Sequence, residues 1–175
     1  MQLVHPRSYA WRMPKLAEAK LLVDDERMMA WRVFLEAYRR VLDTLDDELR
    51  AERGLPLTWY DVLVQLFSAP DQRLRMNQLA SSVLLSKSGL TRLIDRMEAA
   101  GLVERASSPN DRRGSFAVLT PWGEQVFREA APVHLDGIEK HFACHLTAAE
   151  AKTLAKAFEK IRGPLISAAE CAPPD

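Results

Sequence analysis

Short polar and cationic residues concentrate on one side of an amphipathic segment that begins at residue 86. Apolar residues recur there at i, i+3, i+4 and i+7, which predicts a helix with one buried stripe. The stripe consists of Leu90, Leu93, Ile94 and Met97. Residues of the kind that approach phosphates and base edges occupy the other side and the N-terminal end. They are Ser86, Lys87, Ser88, Gly89, Thr91, Arg92 and Arg96. Residues of these types could bind a nucleic-acid duplex through non-covalent contacts.

A predicted β-hairpin with a cationic tip follows this helix directly. Gly101 is expected to end the helix, and the apolar runs at Leu102 and Phe116 predict two strands. The loop between the strands carries Asp111, Arg112 and Arg113. A solvated helix face and an ordinary Pro-Asn-Asp turn would explain the two parts separately. Their spacing together favours a winged helix-turn-helix that grips DNA.

The charges are distributed unevenly along the chain. The formal net charge is +0, which by itself does not favour a nucleic-acid binder. Residues 71–115, however, carry eight cations against five anions, which gives +3, and residues 24–53 carry six arginines against nine carboxylates, which gives −3. A locally basic face suffices for DNA binding, because counterion release depends on the phosphates that are contacted.

Size and composition are those of one soluble domain. The chain has 175 residues, of which 47% are hydrophobic and 27% charged, and no apolar run reaches membrane-spanning length. The N-terminal sequence lacks the apolar core of a signal peptide, so we expect a cytoplasmic protein without membrane contact. Two cysteines, Cys144 and Cys171, make no disulfide framework.

Neither a metal site nor an enzyme site is predicted. His141 and His145 are spaced to share one helical face, a geometry that zinc accepts, but no further ligands stand at a diagnostic spacing. The sequence has no Gly-rich phosphate loop, paired acid/base signature or nucleophile motif. We therefore expect no cofactor, no metal and no catalytic residue.

The periodicity divides the chain into an arm, a central lobe and flanking helices. The arm covers residues 1–23, the flanking helices 24–55 and 121–170, and the winged helix-turn-helix lobe 56–120. The fold class is mainly α with a small β-hairpin wing, in one structural domain overall. Predicted helix caps are a capping box of Thr58 with Asp61, an N-cap at Thr120 before Pro121, and a capping box of Thr147 with Glu150. The first helix has a long apolar seam, which favours packing against a partner chain.

This order of elements resembles the MarR family of transcriptional regulators. The motifs that carry the resemblance are the segments Ser86–Glu98, Gly101–Arg105, Asn110–Gly114 and Leu119-Thr120 with Gly123. The resemblance implies homodimers that bind pseudo-palindromic operators, mostly as repressors that a small, often aromatic, ligand or an oxidant releases. It also implies that Arg92 points toward bases, and that Asp111 orients Arg113 toward a minor groove. Narrow A·T-rich grooves attract such a cation.

A possible effector pocket involves aromatic residues near the first helix. Trp31, Phe34, Tyr38 and Trp59 could line it, although core packing is the default for aromatic side chains at helical spacing. Urate-responsive members of the family have a tryptophan, an acid and an arginine at positions similar to Trp11, Asp61 and Arg105. Peroxide sensors have their cysteine near the N-terminus, whereas no cysteine precedes Cys144 here, so oxidant sensing by that route is not expected.

The sequence thus predicts a dimeric, sequence-specific DNA-binding regulator. We expect a repressor that a small aromatic or anionic effector releases. The alternative is a helical protein–protein interaction module whose hairpin is only structural and which does not read DNA.

Overall fold

The computed structural model of the chain describes residues 25–83, 85–108 and 111–162. The predicted arm, with Trp11, and Cys171 lie outside the described residues, as do the side chains of Asp111, Arg112 and Arg113. The chain divides into two units, Met1–Arg40 and Val41–Asp175. Among the described helices, none is long and apolar enough to cross a membrane.

The first helix, α1, spans Glu26–Arg53, which lies within the predicted segment 24–55. Asp25 caps its N-terminus, because its Oδ1 accepts a hydrogen bond of 2.7 Å from the Arg27 N–H. Hydrogen bonds from the side chain and from the backbone N–H of Arg27 lower the pKa of the Asp25 carboxyl to about 2. Gly54, with φ of +64°, ends the helix in the left-handed conformation that favours glycine.

The second helix, α2, spans Leu57–Phe67 and follows Pro56, which occupies the N-cap position. The predicted capping box of Thr58 with Asp61 is therefore wrong. The Leu57 N–H instead donates a hydrogen bond of 2.7 Å to Oδ1 of Asp46 on α1. The cap comes from another helix, which local spacing could not reveal.

A short strand and a short helix precede the helix that carries the polar face. After a 3₁₀ turn at Pro70–Gln72 the chain forms strand β1, Arg73–Arg75, which the sequence reading assigned to no element. The helices α3, Met76–Ser82, and α4, Lys87–Ala99, then form the predicted helix pair. Gly101, with φ of +74°, follows α4 as predicted.

The predicted hairpin belongs to a three-stranded sheet. Strands β2, Val103–Ser108, and β3, Asp111–Leu119, pair antiparallel, and the strand order is β1-β3-β2. β1 pairs with β3 on the side opposite to β2, with Leu74 facing Ala117 across the strands. The wing is thus anchored on both sides of its second strand.

The helix α5 spans Pro121–His141, and Thr120 caps it as predicted. The Thr120 hydroxyl accepts from the Gly123 N–H at 2.9 Å and lies 2.7 Å from the Gly101 carbonyl oxygen, to which it donates. Gly123 has no room for a side chain, since a Cβ there would lie 2.0 Å from the Leu102 carbonyl oxygen. The Leu-Thr-x-x-Gly motif therefore joins the start of α5 to the end of α4.

The C-terminal end of α5 differs from the prediction that His141 and His145 share one helical face. The helix stops at His141 and a separate 3₁₀ turn covers Ala143–His145, whereas a shared helical face for the two histidines requires one helix through residue 145. Because Phe142 leaves the helical conformation, with φ of −136°, His141 and His145 do not share a helical face. The last helix, α6, spans Ala148–Arg162. Its predicted capping box is present, with the Thr147 N–H donating to Glu150 at 2.9 Å.

The core of the second unit consists of apolar residues from its helices and from its sheet. The predicted stripe of α4 is buried in full, with Leu90 and Leu93 exposed by 1% and 3%, and Ile94 and Met97 by 0%. It packs with buried residues of the other elements, which include Leu49, Leu63, Leu66, Leu79, Val103, Ala117 and Phe127. The buried side of α4 therefore dictates which side is left to solvent.

Replacing Asp46 by alanine tests the cap that α1 supplies to α2. The Leu57 N–H would lose its acceptor, and we expect the free energy of unfolding to fall by about 1 kcal/mol. Asp43→Ala, on the same helix and exposed, is the matched control and should leave stability nearly unchanged. Urea unfolding measures both; equal stability of the two variants would contradict the cap.

The Asp46 contribution should also depend on pH. Although partial desolvation acts in the opposite direction, hydrogen bonds from Arg50 and the Leu57 N–H lower the pKa of the carboxyl below its ordinary 3.8. A lowered carboxyl pKa stabilises the fold above the unfolded-state pKa, and the contribution is lost as pH falls through the folded-state pKa. The stability difference between the wild type and Asp46→Ala should therefore shrink below about pH 4.

Gly123→Ala should destabilise the fold although alanine is the better helix former. The added methyl group would meet the Leu102 carbonyl and Leu119, and overpacking of this kind costs about 1–3 kcal/mol or more. Helix propensity alone predicts a gain of about 1 kcal/mol. Glu139→Ala, at an exposed position of the same helix, is the control. Thermal unfolding decides between the two signs, and a higher Tm for Gly123→Ala would refute the close approach.

Candidate nucleic-acid interface

The N-terminus of α4 is open and capped by a hydroxyl. Ser86 Oγ accepts a hydrogen bond of 3.1 Å from the Gly89 N–H, and Ser86, Lys87 and Ser88 are all exposed. The first turn of a helix presents unpaired N–H groups and a partial positive charge, which favour phosphate. A cationic side chain at Lys87 adds to this preference.

The exposed side of α4 is cationic. Thr91, Arg92 and Arg96 are exposed, and the Thr91 hydroxyl donates to the Lys87 carbonyl at 2.9 Å. Within the part of the chain that the structure describes, neither Lys87 nor Arg92 pairs with a carboxylate. Two uncompensated cations on a rigid helix face suit an anionic polymer.

Carboxylates stand along one edge of α4, and an arginine from the wing neutralises them in part. Arg105 on β2 forms ion pairs with Asp95 at 2.6 Å and with Glu98 at 2.7 Å. Its backbone N–H also donates to Glu98 at 3.1 Å. The carboxylates of Asp95 and Glu98 are thereby bound to β2 and partly neutralised.

The base of the wing is regular, and its pairing shifts near the tip. The register of β2 with β3 changes between Ser107 and Ser108, which is the local irregularity that a bulge introduces. The roles of Asp111, Arg112 and Arg113 stay predictions, because their side chains lie outside the described residues.

Two arginines on β1 were not singled out by the sequence reading. Arg73 and Arg75 place their guanidinium groups 5.5 and 5.0 Å from the ring centre of Phe116 on β3, within cation–π distance. Both side chains are exposed, and Arg73 also pairs with Asp71 at 3.1 Å. Alternation of Arg-Leu-Arg was the available signal, but three residues are too few to predict a strand.

The proposed effector residues are distributed over both units. Trp31, Phe34 and Tyr38 form a ladder along α1 with ring centres 5.9 Å apart; Trp31 and Tyr38 are exposed by 54% and 52%. In the second unit Trp59 is half-buried and Asp61 is exposed. Arg105 already pairs with the two carboxylates of Asp95 and Glu98. The effector pocket stays a prediction.

His134 and His141 on α5 both contact side chains of other helices. Nε2 of His141 lies 2.8 Å and Nζ of Lys140 lies 3.1 Å from Oε1 of Glu48, and these hydrogen bonds lower the pKa of Glu48. The ring of His134 stacks 4.3 Å from that of Tyr60, and burial lowers its pKa. Among the described residues, no group of three or more His, Cys, Asp or Glu is placed to hold a metal ion.

Comparison with known proteins identifies the family. The MarR family profile matches residues 53–114. MhqR of Bacillus subtilis, an HTH-type transcriptional regulator, is 32% identical over 108 residues, which cover 62% of this chain and 72% of MhqR.

Two solved structures from Streptomyces coelicolor agree with the fold. AbsC, a MarR family transcriptional regulator, is 39% identical with a TM-score of 0.74 over 78% of this chain and 92% of AbsC. Sco3205, a MarR family regulator solved in complex with DNA, is 35% identical with a TM-score of 0.74 over 78% of this chain and 85% of Sco3205. The buried stripe and cationic face of α4, the sheet behind it and these relatives lead to one conclusion: the chain belongs to the MarR family and is a DNA-binding transcriptional regulator.

Proposed function

We propose that the protein binds a pseudo-palindromic operator as a homodimer, with α4 of each subunit in a major groove. The observation that carries this proposal is the pair of uncompensated cations, Lys87 and Arg92, on the exposed side of a helix whose opposite side is completely buried. A helix whose apolar side is fixed in the core presents the same exposed side chains to a DNA groove each time it binds.

The residues of α4 divide by chemistry. Arg92 lies in the middle of the exposed side and is assigned to base edges, where a guanidinium can bind guanine through two hydrogen bonds. Ser86, Lys87 and the first-turn N–H groups are assigned to phosphate. Arg96, one turn further on, is also assigned to phosphate. Ser88, Gly89 and Thr91 cover the surface between them.

The wing is assigned to the adjacent minor groove. Its base, β2 and β3, is held by pairing with β1 and by the contacts of Arg105 with α4. A hairpin held in this way can carry a cation such as Arg113 to a groove of defined width. Asp111 and Arg112 complete the proposed tip.

The exposed apolar residues of α1 support a homodimer. Large apolar side chains of α1 that are more than 40% exposed include Met29, Trp31, Val33, Leu35 and Tyr38. A row of this kind is expected to be covered in solution. In the second unit, Ile161 on α6 is itself 76% exposed. A two-fold dimer would place the two copies of α4 about one helical turn of DNA, ~34 Å, apart.

The proposal also includes control of DNA binding by a small molecule. Repression, and release by a small aromatic or anionic effector, rest on the family resemblance. A DNA-binding regulator of this kind is expected to work in the cytoplasm. By linkage, such an effector would weaken DNA binding by the same factor by which DNA weakens effector binding.

Substitution of the two exposed arginines of α4 separates base reading from charge. Arg92→Ala should lower operator affinity by about 1–3 kcal/mol and relax the preference at one position of each half-site. Arg96→Ala should weaken all duplexes alike and make the salt slope shallower by about one unit. Fluorescence anisotropy on a selected operator and its single-base variants measures both effects.

Arg128→Ala is the matched control for these variants. Arg128 is exposed by 62% but lies on α5, where it pairs with Glu124. Its loss should leave operator affinity nearly unchanged. If all three variants weakened every duplex equally, α4 would be only an electrostatic patch and the base-reading role would be wrong.

Sedimentation tests the dimer. We expect one species of twice the chain mass at micromolar concentration, because an isolated chain would leave the apolar residues of α1 in water. Tyr38→Glu, which places a charge on this exposed row, should shift the equilibrium toward monomer. A folded wild-type monomer at the same concentration would overturn the proposal.

A further inference from the structure

Arg105 binds three residues that follow one another along α4. Its guanidinium donates to Asp95 at 2.6 Å, to Glu98 at 2.7 Å and to the Thr91 carbonyl at 3.3 Å. The backbone N–H of Arg105 adds a bond of 3.1 Å to Glu98. Positions 91, 95 and 98 are spaced i, i+4, i+7, so they form one line along the helix.

This line runs beside the buried stripe and beside the cationic face. Apolar packing decides which side of α4 faces the core, but because it is non-directional it leaves small rotations of the helix about its own axis to other contacts. A planar guanidinium with hydrogen bonds to two carboxylates is directional. The contacts of Arg105 are therefore placed where they can set the angle of α4, and of Arg92 on it, relative to β2.

We propose that Arg105 is a positioning residue for sequence discrimination, which acts by fixing the rotation of α4 against the wing without touching DNA. The inference rests on the proposed operator binding. It differs from a phosphate-contact role, because the arginine is already occupied by carboxylates of its own chain and is only 30% exposed.

Neutralising the carboxylates separates the positioning role from a purely electrostatic one, because only the positioning role predicts a change in the ratio of operator affinity to scrambled-DNA affinity. Asp95→Asn and Glu98→Gln each remove a negative charge next to the DNA-facing side, so electrostatics alone predicts tighter binding to every duplex. If Arg105 positions α4, the ratio of operator affinity to scrambled-DNA affinity falls by about tenfold, comparable to one base contact. Affinity for scrambled DNA should stay equal or rise.

Glu104→Gln is the matched control. Glu104 is the exposed neighbour of Arg105 on β2. It stands opposite Val118 across the strands, whereas Arg105 stands opposite Ala117, so the two side chains point to opposite faces of the sheet. The charge change is the same as in Glu98→Gln, but no contact with α4 is lost, and the affinity ratio should not change.

Arg105→Lys keeps the charge and removes the planar group. We expect the same fall in the affinity ratio, with the affinity for scrambled DNA nearly unchanged, because the positive charge is kept. Circular dichroism checks that each variant folds. Should Arg105→Lys fail to fold, Asp95→Asn carries the test, since Asp95 is exposed by 54% and its loss leaves the bonds to Glu98 in place.

The outcomes separate the inference from the function on which it rests. A wild-type protein that binds operator and scrambled DNA equally would refute operator binding itself. A discriminating wild type whose Asp95→Asn, Glu98→Gln and Arg105→Lys variants keep the ratio within about twofold would overturn the positioning role. Equal loss on both duplexes in Arg105→Lys would also overturn it, because a change felt by every duplex is not a change in sequence discrimination.

Discussion

Burial of the apolar stripe of α4 is the constraint on which the remaining structure depends. Leu90, Leu93, Ile94 and Met97 are almost without solvent exposure, and burying four such side chains stabilises the fold by several kcal/mol. Once this side is committed to the core, Arg92 and Lys87 must face solvent. The same packing that stabilises the lobe therefore creates its binding surface, and neither can change without the other.

Polar contacts set the ends and angles that apolar burial leaves open. Asp46 caps α2 from α1, and Thr120 connects the start of α5 to the residues that follow α4. Arg105 connects β2 to α4 through two carboxylates. Each contact joins elements that are distant in sequence, so the orientation of the DNA-facing side is held from several directions.

A neutral chain can bind a polyanion because its charges are separated in space. Asp95 and Glu98 would oppose DNA if they were free, but Arg105 holds them at the edge of α4. Lys87 and Arg92 stay uncompensated among the described residues. The relevant quantity is the charge on the exposed side of one helix, which the net charge of +0 does not report.

Local signals in the sequence determined the main helices, the buried stripe of α4, the caps at Thr120 and Thr147, and the family. These features depend on residues within about one or two helical turns, where periodicity and capping act. The strand β1, the cap at Leu57, the break after His141 and the occupation of Arg105 were decided only by the tertiary structure. The first, second and last of these features depend on partners that are distant in sequence, and the break depends on the backbone angle at Phe142. The spacing of residues along the chain encodes neither a distant partner nor such an angle.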